Sequence, residues 1–441
     1  MNSAEFPSAK KADRLLFYSS LRNFGGRNML AVADLHIHSK YSRATSPGME
    51  LETLSKWAKI KGIDIVGTGD FTHPEWCKEL EKKAIESDSG FLQYGGVNFC
   101  LSSEISCIYT QGGKGRRVHV VVLSPSLEIV AQINEALGKR FNLKSDGRPI
   151  IGASALELAE IVLNISDKNL VIPAHIWTPW FSVFGSMSGF DSLKECFGEK
   201  ARDIYAVETG LSSDPAMNWR LSELDMVQLL SNSDSHSPEK IGREANVFDL
   251  DHLTYEEMYE AIRYKQKGKL ACTYEFYPEE GKYHYDGHRL CKVSFAPEET
   301  KKHNGICPVC KRPLTIGVMN RVEKLADRPD GFKPKGAAPF ESLVPLKEVL
   351  GEAMGKPPAS KAVDAEYFKL IQAFGNEFAV LHAPPARLRK AAGERIAEAI
   401  KRVEEGKVKK VAGYDGEYGH IIIFEKEEKE REVGQKTLGE F

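Results

Sequence analysis

From residue 30 to about 265 the chain repeats one unit: a short apolar run, a polar terminus, then a stretch with helical periodicity. The runs "MLAVADLHIH", "IDIVGTGD", "NFCLSSEI", "VHVVVLSP", "NLVIPAHI", "DIYAVETG" and "MVQLLSNSD" alternate with segments such as "LETLSKWAKIKG", "LEIVAQINEAL", "ALELAEIVLNI" and "YEEMYEAIRYKQ". Strands separated by helices pair in parallel, so the pattern predicts an α/β architecture. Six of the seven runs end in an acid or a histidine, the arrangement of a barrel whose site collects at the strand C-termini. A distorted β/α barrel is expected rather than an open doubly wound sheet. His119 is the exception, because it precedes its apolar run.

The first run shows what such ends can do. In "ADLHIHSKYS" the period of two puts Asp34, His36 and His38 on one face of an extended segment, with Leu35 and Ile37 on the other. Burying three polar side chains together is costly unless a common partner satisfies them. A metal ion does so, since imidazole and carboxylate are its natural ligands. The polar residues at the other strand ends are Asp70, His73, Glu104, His119, His175, Glu208, Asp234 and His236. The spacings HxH at 36/38 and DxH at 234/236 each place two donors on one face. Two metals about 3.5–4 Å apart can both generate a nucleophile and relieve charge on a phosphodiester, so a phosphoesterase is the favoured enzyme class.

The 441 residues are enough for two or three units, and the net charge of −2 confines any nucleic-acid surface to a local patch. No apolar run is long enough to span a bilayer, and the eight cysteines come without a secretory signal. A reducing, cytoplasmic setting is expected. Residues 1–28 lack periodicity and read as a disordered leader or a start-site extension. The expected units are a catalytic barrel over 29–268, a zinc-binding module over 269–320, a helical region over 321–424 and a flexible tail over 425–441.

The module is marked by His288-x-x-Cys291 and, after fifteen intervening residues, Cys307-x-x-Cys310. Two short-spaced pairs across a loop fit one tetrahedral structural zinc, with His284 and His303 competing with His288 for the fourth position. Residues 387–410 hold nine Lys/Arg against four Glu, a surplus suited to phosphates or to a solvated helix face. After His175, "IWTPWFSVFGSMSGF" supplies Trp177, Trp180 and Phe181 as candidates to stack on a base, or as a plain hydrophobic loop. In the terminal "QKTLGEF", one tight turn would present Leu438 and Phe441 together, with Gln435 ahead of them.

"DLHIHSKYS", "GTGDFTH", "SSEIS", "VHVVVL", "IPAHI" and "SNSDSH" resemble, in order, the motifs of the PHP (polymerase and histidinol phosphatase) superfamily. The resemblance implies a distorted seven-stranded β/α barrel with two or three divalent metals at its strand ends. It assigns them to His36, His38, Glu104, His119, His175, Asp234 and His236, with Asp70, His73 and Glu208 as further ligands or proton-handling groups. Members often carry an acidic residue where this chain has Arg43. Zn, Mn or Fe suits such ligands, with Mg added for turnover. "EGKYHYDGHRLC", "CPVCKRPLTIGVMNRVEKLADR", "FGNEFAVL" and "AGYDGEYG" narrow the resemblance to the endonuclease Q family. That family implies a DNA repair enzyme nicking 5′ of uracil, hypoxanthine, xanthine and abasic sites. The terminal residues resemble the peptide by which repair proteins dock on the PCNA sliding clamp. The rival readings are a small-molecule phosphatase of the PHP type and a non-catalytic DNA- or clamp-associated protein.

Overall fold

The computed structural model describes residues 29–266, 268–425 and 428. The leader 1–28 and the residues expected to dock on a clamp, Gln435, Leu438 and Phe441, lie outside them. The strands are β1 (Met29–Asp34), β2 (Ile65–Gly67), β3 (Ile85–Glu86), β4 (Leu92–Tyr94), β5 (Val97–Gln111), β6 (Lys114–Ser124), β7 (Ile150–Ile151), β8 (Leu170–Pro173), β9 (Ala206–Glu208), β10 (Gln228–Leu230), β11 (Ala245–Leu250) and β12 (Leu270–Glu275). They continue as β13 (Asp286–His288), β14 (Val293–Phe295), β15 (Phe340–Ser342), β16 (Lys409–Val411) and β17 (His420–Ile422). The molecule is a mixed α/β fold around one large sheet.

Pairing departs from the all-parallel expectation at an informative place. β1–β2 and β2–β5 are parallel, as alternation with helices requires. β5 and β6, however, form one long antiparallel hairpin running from Leu101↔Ser124 to Gln111↔Lys114. Its two-residue turn is Gly112–Gly113, both with positive φ (60° and 74°), the turn geometry that matches strand twist. Because β6 runs the other way, its residues just before Val120 lie level with the end of β8, and the hairpin continues past that rim to its tip. His119 precedes its apolar run for this reason: on a reversed strand, the site end comes first.

Side chains of successive strand residues divide between two cores, as the period of two demands. In β6, Val121 and Leu123 pack with Ala33, Leu35, Ile65, Ile172 and the helix Tyr255–Arg263, while Val120 and Val122 pack under the flanking helices. Beyond β8, Ile176 N donates to Glu208 O (3.1 Å), and β9 pairs with β10. The chain after β10 then returns to the chain after β1 through a parallel bridge, Ile37↔Ser235. These links set the ends of β1, β2, β5, β8, β9 and β10 on one rim.

Two expected boundaries shift. β12 pairs antiparallel with β11, and β15 pairs parallel with β12, so the sheet takes in residues assigned to the zinc module and to the helical region. The run "LACTYE" alternates and is β-rich, which is why it joins the sheet. The segment that carries the late cysteines is the β13–β14 hairpin and the chain from there to Leu314, with its own small core of Val293, Cys307 and Leu314.

The C-terminal helices are fastened to the barrel side by a buried ion pair. Lys61 Nζ, at the end of helix Leu51–Lys61, lies 2.6 Å from Glu377 Oε2. Glu377 also accepts from the Tyr367 hydroxyl (2.6 Å) and the Leu346 amide (3.0 Å). Lys61→Met leaves this carboxylate buried without its cation and should destabilise the protein by about 3 kcal/mol in urea unfolding. Adding Glu377→Leu should restore most of that loss; a double variant no better than the single would refute the assignment.

Candidate metal centre

The rim residues converge in two groups that share one member. One ligand atom each from His36, His38, Glu104 and Asp234 lies within 4.8 Å of the others, and so do Glu104, His119 and His175. Glu104 Oε2 faces His38 Nε2 (3.2 Å) and His36 Nε2 (3.7 Å). Its Oε1 faces His119 Nδ1 (2.7 Å) and His175 Nε2 (3.2 Å). Asp234 Oδ1 lies 3.1 Å from His38 Nε2 and 3.7 Å from His36 Nε2. Glu104 and His119 stand on one hairpin face because Glu104 is opposite Val121 and Ser106 is opposite His119.

The rings are aimed from behind. His36 Nδ1 is 3.0 Å from Glu208 Oε1, and Glu208 also accepts from the His175 amide (2.8 Å) and Asn232 Nδ2 (3.0 Å). His38 Nδ1 is 3.1 Å from Asp70 Oδ1, whose Oδ2 takes the Ser39 amide, the Ser39 hydroxyl and the Ser42 hydroxyl. A carboxylate behind a ring fixes its tautomer and turns the other nitrogen forward, the usual support of a metal-bound histidine. Asp70, His175 and Asp234 all hold positive φ (51°, 29° and 46°), rare for side-chain-bearing residues and concentrated here at the rim. Gly210 gives His175 its room, since a Cβ there would stand 2.4 Å from the His175 Cβ.

These residues fit a pair of cations. His36 Nε2 and His119 Nδ1 are buried without a hydrogen-bond partner, although both point at Glu104. The His119–Glu104 contact is short but not aligned as a hydrogen bond, as expected of two donors whose lone pairs meet at a third body. Burial would lower the His36 and His38 pKa values, but the Glu208 and Glu104 carboxylates around His36, and Asp70 around His38, outweigh it and hold both well up. Burial, with the nearby His175 and Arg148 adding to it, pushes His119 down to about 4 against the opposing pull of the Glu104 carboxylate. Burial opposes ionisation of Glu104 and Asp234, yet the surrounding imidazoles keep both carboxyls below their ordinary range.

Several expected residues stand elsewhere. Asp34 shares the His36/His38 face but accepts from Ser233 (its amide and its hydroxyl) and from the Gly242 amide, closing the sheet rather than joining the donors. Asp70 and Glu208 are fully buried with their oxygens engaged, so they position rings and do not face a substrate for proton transfer. His73 begins the helix Pro74–Lys83 and stacks on Tyr41, outside both groups. His236 lies beside His38, its ring centroid 4.5 Å away and its Nδ1 on the Asp234 carbonyl, and belongs to neither group. Trp177 is fully buried, donates to Asn218 Oδ1 (2.8 Å) and packs on Phe184, so it is core and cannot stack on a base.

Trp180 and Phe181 do line a cleft of about 480 Å³ over the donors, with His119, His175, Asp234, Ile150, Arg43 and Arg148. Arg148, 3.1 Å from Glu104 Oε2, is the residue that sequence reasoning missed. A lone arginine in "KSDGRPII" carries no spacing signal; only its neighbour Gly147 hinted at close packing. Away from the rim, one ligand atom each from His288, Cys291, Cys307 and Cys310 lies within 4.8 Å of the others. His303 instead stacks on Phe295, and neither it nor His284 joins this group.

Comparison with known proteins places this architecture. A solved structure described as the novel lesion-specific endonuclease PfuEndoQ from Pyrococcus furiosus superposes with a TM-score of 0.82 at 34% identity, covering 90% of this chain and 96% of that one. The chain belongs to the endonuclease Q family. An endonuclease Q structure complexed with a 27-mer duplex substrate carrying an abasic lesion at the active site gives a TM-score of 0.81 at 34% identity, over 91% of this chain and 98% of that one. YqxK of Bacillus subtilis is 33% identical over 88% of this chain and 98% of its own length. MJ0043 of Methanocaldococcus jannaschii is 34% identical over 56% of this chain but 31% of its own. Within this family member, residues 227–266 match the PHP-associated model and residues 345–407 the MJ0043 C-terminal domain. Among the described residues no helix is long and apolar enough to cross a membrane.

Behind Glu208, this endonuclease Q relative buries two more carboxyls. Glu244 and Glu275 flank the Ala245↔Tyr274 pair at the end of the β11–β12 ladder, and both are fully buried. Glu275 accepts from Thr209 Oγ1 (3.1 Å) and Ser231 Oγ (3.0 Å), whereas Glu244 Oε2 has no partner. Burial pushes Glu275 up to about 8, and burial together with Glu275 pushes Glu244 well up. The fold therefore retains protons that the unfolded chain releases near 4.5, so stability falls as pH rises from there towards 8. Glu244→Gln should flatten that fall, gaining about 1 kcal/mol or more over wild type at pH 8 and little at pH 4 by urea unfolding. Equal pH slopes for the two proteins would show that the pair does not share this burden.

Proposed function

We infer that the protein is a metal-dependent DNA repair endonuclease that nicks the strand on the 5′ side of deaminated bases and abasic sites. The observation that carries the reading is Glu104: one buried carboxylate serving two donor groups beneath an open cleft. The family relationship supplies DNA as the substrate, since the relatives in the comparison are described as lesion-specific and as binding a lesion-bearing duplex. The rim is read as a distorted seven-stranded ring of β1, β2, β5, β6, β8, β9 and β10, closed by the bridge at Ile37.

Two divalent cations, held by His36, His38, Glu104 and Asp234 on one side and by Glu104, His119 and His175 on the other, would supply a nucleophile and neutralise phosphate charge. The chain's own groups do the rest. Glu208 and Asp70 keep the rings of His36 and His38 turned forward. Trp180 and Phe181 offer aromatic faces to an extruded nucleotide at the cleft wall. His236, about a third exposed beside Asp234, would handle a proton next to the donors. His288, Cys291, Cys307 and Cys310 would hold a structural zinc, a closed site that contributes folding energy rather than chemistry. Gln435, Leu438 and Phe441 would recruit the PCNA clamp.

A nicking assay tests the reading. Labelled duplex carrying one deoxyuridine or one hypoxanthine, with Mg²⁺ or Mn²⁺, should be cut once, 5′ of the lesion, and undamaged duplex should stay whole. Asp234→Ala should lower the rate by more than about a hundredfold and Asp70→Asn by about ten- to a hundredfold, the usual cost of an outer-shell partner. No cleavage of damaged strands, with phosphate released from small monoesters, would transfer the protein to the phosphatase class. Cys310→Ala should remove one equivalent of zinc by elemental analysis and leave the barrel metals in place; loss of none would refute the structural site.

A further inference from the structure

The groups that support the donors from behind, Asp70 and Glu208, are fully buried. Arg148 is different. It approaches Glu104 from the cleft side, with its side chain 29% exposed. Among the described residues only its Nη1 makes a side-chain hydrogen bond, to Glu104 Oε2 at 3.1 Å. A guanidinium has five N–H donors, so the others remain free to meet an incoming acceptor.

Its backbone cannot retreat. The Arg148 amide donates to Asp146 Oδ1 (3.1 Å), the Gly147 amide to the Tyr41 carbonyl (2.9 Å), and the Ser106 amide to the Pro149 carbonyl (3.0 Å). A Cβ on Gly147 would lie 2.3 Å from Asp70 Oδ2 and 2.4 Å from Ser42 Oγ, so the loop is pressed onto the carboxylate that orients His38. β7 then begins at Ile150, opposite Ser106 on β5, two residues past Glu104. Arg148 is thus built into the same frame as the donors. Arg43, exposed and 3.2 Å from Asp146 Oδ2, adds a second guanidinium at the outer lip of the cleft.

The geometry points to Arg148 as a catalytic residue that grips a non-bridging oxygen of the scissile phosphate and stabilises the charge that gathers there in the transition state. This rests on the phosphodiesterase reading above. In the reaction, water forms a new P–O bond, the bond from phosphorus to the leaving sugar oxygen breaks, and that oxygen takes up a proton. The non-bridging oxygens carry their greatest charge midway, where a fixed, partly buried guanidinium acts most strongly. Glu104 holds Arg148 ready between turnovers; a bidentate fork fits phosphate, which an ammonium at the same place would not match.

The test uses the full chain, metal-loaded, as wild type, Arg148→Ala and Arg148→Lys. Four readouts are taken: single-turnover cleavage of deoxyuridine duplex and of bis(p-nitrophenyl) phosphate, metal content, the calorimetric Kd of inorganic phosphate, and rescue by added guanidinium. The alanine variant should lose about a hundred- to a thousandfold in cleavage. It should keep its metal, bind inorganic phosphate more weakly, and regain part of its rate with millimolar guanidinium. The lysine variant should recover little. An alanine variant with wild-type rates overturns the inference. So does one that loses metal in step with rate, since Arg148 would then merely hold Glu104. If wild type ignores damaged DNA but hydrolyses the nitrophenyl diester with the same dependence on Arg148, the DNA reading falls and this inference stands. A wild type inert toward both overturns both.

Discussion

The charge on Glu104 is the constraint around which the rim of the fold is arranged. A carboxylate with almost no exposure to water is held ionised by the imidazoles of His36, His38, His119 and His175 and by Arg148. Each of those neighbours needs its own reason to be there. Glu208 supplies it for His36, Asp70 for His38, Thr178 for His175, and the packed Phe181 ring for His119. Remove Glu104 and the buried nitrogens of His119 and His175 would lose the carboxylate that both face, a loss that a low-dielectric interior makes costly. The two halves of the site are therefore one electrostatic object rather than two pockets that happen to adjoin.

Backbone strain follows the same centre. Asp70, His175, Phe181 and Asp234 all adopt left-handed backbone angles, and each lies where the chain leaves a strand end or lines the cleft. Such conformations cost on the order of 1–3 kcal/mol apiece and persist only where surrounding contacts overdetermine them. The overdetermination is visible: the Ser39 and Ser42 hydroxyls bind Asp70, Glu208 takes the His175 amide, and the Phe181 carbonyl receives the His119 amide. Stability gathered in the two cores is spent on holding these turns open.

Much of this was legible in the sequence, and the failures share a cause. The apolar runs and their polar ends identified the rim, and the HxH and DxH spacings identified His36, His38 and Asp234, because a period of two is a local property. What an acid does at a strand end is not local. Asp70 and Glu208 look like ligands in the sequence, and only the directions of His38 and His36 reveal that they stand behind them. Trp177, Trp180 and Phe181 sit in one string, yet the first is core and the other two line the cleft, since turns within the loop rotate successive side chains apart. β12 escaped notice because its pairing partner, β11, is antiparallel and belongs to a unit that the composition had already closed.

The β5–β6 hairpin carries a consequence for how such a chain can change. Glu104 and His119 face the same way only in the present register, and that register is set at Gly112–Gly113, eight residues and about 27 Å along the strand from Glu104. Adding one residue to one strand between the tip and Ser106 would slide the ladder beyond it by one place and turn His119 to the opposite face, taking one donor from the second group from a distance. Length variation there is therefore constrained by parity: one residue added to each strand keeps the faces aligned, and an unmatched one must be absorbed as a bulge before it reaches Ser106. A solvent-exposed turn with no chemistry of its own thus anchors a counting rule that Glu104 and His119, farther down the same hairpin, enforce.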